Sequence, residues 1–167
     1  MTNVFYGLAT EHQLRECVNV VCDLLGRGAS GYAGQMLMET AAQETHCGKF
    51  RDPTPGGAGR GVFQIDLIAF NDIRQRARVS DIKLLIEKFG VDIRAVNHET
   101  LDFSPLLSAI FCRLFYKLIP YPIPSTLSAR AAYWKRFYNT KLGKGTIEEF
   151  ISNARDMETS KSRASDD

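Results

Sequence analysis

The sequence predicts a mainly α-helical domain, and three observations carry that prediction. Apolar residues recur at 3.6-residue spacing in segment after segment, strand-like alternation is almost absent, and 167 residues with 44% hydrophobic content suffice for one real core. The exception is the stretch from Pro53 to Gly61, where two prolines and four glycines forbid helix and predict an irregular loop or a small β-hairpin beside a cleft. Residues 1–152 form a single domain on this reading. The polar, charged run from about Asn153 to Asp167 is expected to be partly disordered.

Each element has its own signal. Thr10-x-x-Gln13 is a capping box, and Leu14, Val18, Val21 and Leu25 then recur at helical spacing until Gly26. A second helix is expected from about Ser30, an N-cap type, to Thr45, with Gly48 ending it. At about 100° per residue, Tyr32, Met36, Leu37, Thr40 and Ala41 share one half of its circumference; Glu44 falls inside that half and Glu39 just outside it. Further helices are predicted over Leu67–Ala77, Ser80–Phe89, Pro105–Ile119, Thr126–Asn139 and Thr146–Met157. The apolar Pro105–Ile119 segment is too short to span a bilayer, so it reads as a central buried helix with Arg113 and Lys117 snorkelling outward. Pro120 to Pro124 reads as a rigid connector, and Asn139 to Gly145 as a turn.

Composition excludes several classes. A formal charge of +2 gives no broad basic surface, so nucleic acid is not an expected partner, and the chain has no segment for integral membrane association. Mild basicity suits an anionic cell wall. The four cysteines, Cys17, Cys22, Cys47 and Cys112, fit no zinc spacing, and a reduced state is expected; no metal or cofactor is implied. Met1 to Gly7 lacks the charged and apolar regions of a signal peptide, which predicts synthesis in the cytoplasm.

The chemistry is expected at Glu44. A carboxyl on the core-facing side of a helix end is partly desolvated, which raises its pKa and keeps a proton on it near neutral pH, as a general acid requires. The same spacing also fits a solvated last-turn glutamate paired with Lys49 or Arg51. The glycine-rich stretch that follows lacks the Gly-Lys-Ser/Thr ending of a phosphate-cradling loop and follows a helix rather than a strand. Gln64, on the apolar step after it, can donate and accept hydrogen bonds, suiting either a sugar contact or a backbone cap.

Gln43-Glu44-Thr45 followed by Gly61-Val62-Phe63-Gln64-Ile65 resembles the Glu-Ser/Thr and Gly-Leu-Met-Gln-Ile signature of lytic transglycosylases and goose-type lysozymes, members of the lysozyme-like superfamily. Gly59-Arg60-Gly61 also resembles the Gly-Arg-Gly-x-x-Gln step of family 19 chitinases and phage endolysins, although Asp52 is the one acid between Glu44 and Gly59 where those enzymes carry a second glutamate. Ala131-Ala132-Tyr133 resembles the Ala-Tyr element late in the transglycosylase domain, with Trp134 and Lys135 departing from the family's next residues.

The resemblance implies a lysozyme-like fold and cleavage of the β-1,4 bond between N-acetylmuramic acid and N-acetylglucosamine in peptidoglycan, with Glu44 protonating the glycosidic oxygen. It implies that Thr45, Arg60, Gly61, Phe63 and Gln64, with Tyr133 and Trp134, line the substrate cleft, and that the Tyr133 hydroxyl orients Glu44, although the helical spacing of Tyr133 favours core packing. Asp52 and Asp66 are the candidates for a second carboxylate, though Asp52 also suits a turn before Pro53 and Asp66 a helix N-cap. If neither acts, the substrate's own acetamido group assists, leaving an anhydro sugar. A wall-degrading enzyme without a signal peptide implies a phage protein, released during lysis or carried with virion components. Two other classes fit the same residues: a catalytically silent glycan-binding module and a structural virion protein.

Overall fold

Helix α1 (Glu11–Leu25) starts where the sequence closes a reciprocal cap: the Thr10 hydroxyl accepts from the Gln13 amide at 3.2 Å, and the Gln13 side chain accepts from the Ala9 N–H at 2.7 Å. It turns Leu14, Val18, Val21, Cys22 and Leu25 inward and stops at Gly26. The computed structural model describes residues 3–52, 57–140 and 143–165. Along them follow α2 (Ala33–Thr45), α3 (Leu67–Arg76), α4 (Val79–Phe89), a 3₁₀ turn (His98–Asp102), α5 (Pro105–Lys117), α6 (Leu127–Trp134), a π turn (Lys135–Asn139) and α7 (Ile147–Ala164). Among the described residues there is no β-strand, so the mainly helical class holds, and the expected hairpin reduces to one antiparallel bridge between Arg60 and Ile65. Pro53 to Gly56, the first part of the proline- and glycine-rich stretch, lie outside the described residues.

Helix α5 is the axis of the core. Its start is set by Ser104, whose hydroxyl accepts from the Leu107 amide at 3.1 Å, and by Pro105 in the first turn, where a missing N–H costs nothing. Leu107, Ala109, Ile110, Phe111, Cys112, Leu114 and Tyr116 are all buried, covering more than one face, and α1 and α3 pack against it. Phe111 stacks on Phe70 of α3 with centroids 4.6 Å apart. Arg113 and Lys117 do not snorkel as the sequence predicts. The Arg113 Nε donates to the Gly26 carbonyl at 2.8 Å, and the Lys117 Nζ donates to the Leu25 carbonyl at 3.0 Å while pairing with Asp81 at 2.8 Å. Both cations therefore satisfy carbonyls that the end of α1 leaves open, where the helix dipole favours positive charge.

Helix α2 begins three residues later than its sequence suggests. Ser30 spends its hydroxyl on the Ile123 carbonyl, 2.7 Å away, so it ties down the proline-rich connector instead of capping a helix. On the same helix Glu39, outside the predicted core-facing half, is only 1% exposed. It survives burial because Arg130 of α6 meets it with two bonds, Nε to Oε1 at 2.6 Å and Nη2 to Oε2 at 2.9 Å, while the guanidinium lies over the Tyr32 ring at 5.0 Å. This clamp fixes α6 across α2.

The chain's end corrects a second expectation. Instead of dissolving into a tail at Asn153, α7 continues to Ala164, because Phe150, Ala154 and Met157 recur on one buried face against α2 and Asn153 donates to the Gln43 side chain at 2.8 Å. The predicted Thr126–Asn139 helix is likewise split, α-helical to Trp134 and π-helical after it. Among the described residues, no helix is long and apolar enough to cross a membrane.

Candidate active site

The last turn of α2 is stitched to its surroundings by two threonines. Thr40 donates to the Met36 carbonyl at 2.7 Å and its hydroxyl meets that of Tyr116 at 2.8 Å; Thr45 donates to the Val62 carbonyl at 2.7 Å and accepts from the Gly48 amide at 3.0 Å. His46 and Cys47 then adopt left-handed backbone, φ 49° and 57°, before Gly48 at 86°, which ends the helix abruptly after Glu44. Thr45 is therefore a buried staple between helix and loop. A cleft-lining role is not open to it.

Glu44 is half-buried on this turn. The Trp134 Nε1 donates to its Oε1 at 3.3 Å, and the Cys112 thiol and the Tyr116 and Tyr138 hydroxyls are close enough to feel its charge. Burial pushes the carboxyl up to about 7 from an ordinary 4.5, and the indole hydrogen bond offsets part of that rise. Burial holds Cys112, Tyr116 and Tyr138 well above their ordinary ranges too, so these neighbours stay neutral. The contrast with Glu39 is one of pairing: the deeper glutamate has a bidentate arginine, whereas Glu44 has a neutral indole.

The group that holds Glu44 is not the one the resemblance implies, and Tyr133 packs as its helical spacing favours. Tyr133 turns its hydroxyl to the Tyr121 carbonyl at 2.8 Å and stacks on Tyr116, centroids 5.9 Å apart, so it packs rather than orients the acid. Trp134 takes the orienting place. It is completely buried, stacked obliquely on Phe150 at 5.1 Å, and presents no face for a sugar. A side chain at Gly145 would put its Cβ 2.6 Å from the Trp134 ring and 3.1 Å from the Gln43 amide, so the loop after the π turn lies directly on the indole. Lys135 holds that loop, donating to the Asn139 side chain at 2.7 Å and to the Gly143 and Gly145 carbonyls at 3.0 and 2.7 Å.

The loop that carries Gln64 is a tight turn closed by the Arg60 and Ile65 bridge, with 3.0 and 3.1 Å between the paired backbone groups. Gly61, φ 74°, has no room for a side chain, since a Cβ would lie 2.5 Å from the Ser108 hydroxyl and 2.6 Å from the Leu101 carbonyl. Its amide donates to Asp102 at 2.8 Å, and the Arg60 guanidinium pairs with the same carboxylate at 2.8 Å, so Arg60 braces the turn. Phe63 is fully buried and serves the core; its carbonyl accepts from the Tyr138 hydroxyl at 2.5 Å. Gln64 remains half-buried at the loop's end, in left-handed backbone at φ 52°.

Asp66 and Asp52 have contacts of their own. Asp66 caps α3, accepting from the Ala69 amide at 2.8 Å. Asp52 is exposed, and its backbone amide donates to the Tyr6 hydroxyl at 3.4 Å. Among the described residues, no three His, Cys, Asp or Glu side chains are placed to hold a metal ion. The residues that sequence reasoning passes over are Tyr116, Asp102 and Tyr6; each acts through a fold contact with no local spacing signal. Compared with family models, curated proteins and solved structures, the chain matches none.

Proposed function

We propose that the chain is a peptidoglycan-degrading glycosidase in which Glu44 is the general acid for cleavage between N-acetylmuramic acid and N-acetylglucosamine. One observation carries the reading: a half-buried carboxyl at a helix end, raised to about 7 and bonded by a neutral donor, holds a proton at the pH where it must give one away. Trp134 acts on Oε1 and leaves the second oxygen for the glycosidic oxygen.

Because the Asp66 carboxylate is engaged in capping α3, the reading favours assistance from the substrate over a second carboxylate. Glu44 gives its proton to the leaving oxygen as the C1–O bond breaks, and the acetamido carbonyl stabilises C1. The muramic 6-hydroxyl then bonds to C1 and returns its proton to the Glu44 carboxylate. Atoms balance without water, giving an anhydro end, and the acid is regenerated. The natural setting proposed for this activity is a phage protein that reaches the wall on lysis or with the particle.

The test is clearance of purified sacculi by the native chain and by Glu44→Gln, with far-ultraviolet circular dichroism confirming that both fold. Clearance by the native chain and a loss of at least about a hundredfold in the variant is the expected outcome, in line with removal of a general acid. Equal clearance by both removes Glu44 from the role.

A further inference from the structure

Lys135 opens the π turn, and its ammonium spends its three N–H donors on neutral acceptors: the Asn139 side chain at 2.7 Å and the Gly143 and Gly145 carbonyls at 3.0 and 2.7 Å. None of these is a carboxylate, so the lysine works as a clamp. It ties the far end of the π turn to segment 143–145, which leads into α7. The glycines suit the clamp, since a Cβ at Gly143 would run into the Asn139 amide and one at Gly145 would lie 2.6 Å from the Trp134 Cη2. Single π turns of this kind are concentrated at functional sites.

What the clamp presses on is the acid's partner. Gly145 sits at the Cη2 edge of the indole, Phe150 lies against the ring with centroids 5.1 Å apart, and Nε1 at the other end donates to the Glu44 Oε1 at 3.3 Å. The ring is rigid, so a displacement at Cη2 is a displacement at Nε1. A Cβ at Gly145 would also lie 3.1 Å from the Nε2 of Gln43, the residue before the acid, whose side-chain oxygen accepts from Asn153 of α7 at 2.8 Å. Cys112 and Tyr116 of α5 and Tyr138 of the π turn are the titratable groups that feel Glu44, and burial keeps all three neutral. Burial and the indole bond alone set the acid's proton affinity. The Lys135 charge has no part in it, and the lysine acts on Glu44 only through the segment it holds.

We propose that Lys135 is a positioning residue for the acid: by holding Gly143 and Gly145 down, it keeps the Trp134 Nε1 on the Glu44 Oε1 and keeps water from the carboxyl. The catalytic consequence rests on the glycosidase reading; the placement of the carboxyl does not. With the clamp released, the segment lifts from the indole and from the Gln43 amide, and water reaches Glu44. Burial is the larger of the two influences on that carboxyl, so hydration lowers its pKa by more than a weakened indole bond raises it. The sign is opposite to that of losing the indole bond alone.

Trp134 is the only tryptophan in the chain, so its fluorescence reads the site without turnover. The emission of the native chain is expected to titrate with a midpoint of about 7, and Glu44→Gln to remove the transition. Lys135→Met keeps the stem and removes the donors. It is expected to move the midpoint down by about one unit, which cuts the protonated fraction above it about tenfold, and to open the indole to quenching by acrylamide. A midpoint that stays or rises in folded Lys135→Met, or a transition that survives Glu44→Gln, overturns the proposal whatever sacculus clearance shows. A midpoint lowered as expected, with sacculi left intact by the native chain, supports the placement and contradicts the glycosidase reading alone. Should Lys135→Met fold poorly, Gly145→Ala decides it: the added Cβ lifts the same segment while the lysine stays, and the midpoint is expected to fall there too. A native midpoint in that variant contradicts the proposal.

Discussion

The Trp134 Nε1 stands 3.3 Å from the Glu44 Oε1, so a fully buried indole on α6 supplies a neutral hydrogen bond to the carboxyl at the end of α2. A donor favours the ionised carboxylate, while burial opposes it, and burial wins by enough to lift the acid to about 7. Removing the donor should therefore raise the acid further. Trp134→Phe is expected to move the alkaline limb of kcat/KM to higher pH, to lower the plateau, and to cost on the order of 2 kcal/mol of stability from the trimmed ring. A pH profile of sacculus clearance reads the first effect; a limb moved downward contradicts the assignment.

Stability should carry the same signature. The folded carboxyl sits near 7 and the unfolded one near 4.5, so folding favours the protonated form. Its contribution is present in full below the unfolded value and is lost as pH rises through about 7. Glu44→Gln keeps an acceptor for the indole and has no charge to bury. It is expected to be more stable than the native chain at pH 8, by up to roughly 3 kcal/mol, and no more stable at pH 4. Urea unfolding at the two pH values measures the difference, and a pH-independent difference rules out a raised Glu44.

The Glu39 and Arg130 pair predicts a different pattern. Each partner alone is an uncompensated buried charge, so Arg130→Met is expected to cost about 3–5 kcal/mol, and Glu39→Gln in the same chain to recover part of that loss. Chemical denaturation of the two single variants and the double variant gives the coupling. Strict additivity would mean that the clamp does not fix α6 on α2.

Asp66 and Asp52 separate a one-carboxyl from a two-carboxyl mechanism. Asp66→Ala removes the α3 cap and is expected to cost about 1 kcal/mol of stability. Asp66→Asn and Asp52→Asn are each expected to keep clearance within about threefold of native, since neither carboxylate takes part in a substrate-assisted path. A hundredfold loss in either variant identifies a second catalytic carboxylate.

Much of this was legible in the chain. Periodicity gave the helices, and the Thr10 cap, the Gly26 stop and the Pro105 start gave ends within a few residues, because those signals act locally. The partial burial of Glu44 was legible from its angle on the helix wheel. What was not legible depends on partners distant in sequence. Glu39 is buried because of Arg130, 91 positions away; Arg113 turns to the end of α1, 87 positions away; and Trp134 displaces Tyr133 as the acid's partner through a one-residue difference in helix phase. The helical spacing of the aromatic residues after Ala132 suits core packing, and Trp134 is fully buried and Tyr133 nearly so. The amino-terminal segment gave no hint of Tyr6, since contacts distant in sequence, the Phe5 to Gly48 bond among them, bring it to the loop.

The most direct test of the central claim is the chemistry of the ends released from purified sacculi, identified by mass spectrometry for the native chain and for Glu44→Gln. Muropeptides with anhydro-muramic ends, lost in the variant, are the predicted result. Reducing muramic ends would contradict the substrate-assisted step, and no product from either chain, on sacculi that a known lysozyme digests, would contradict the enzyme itself.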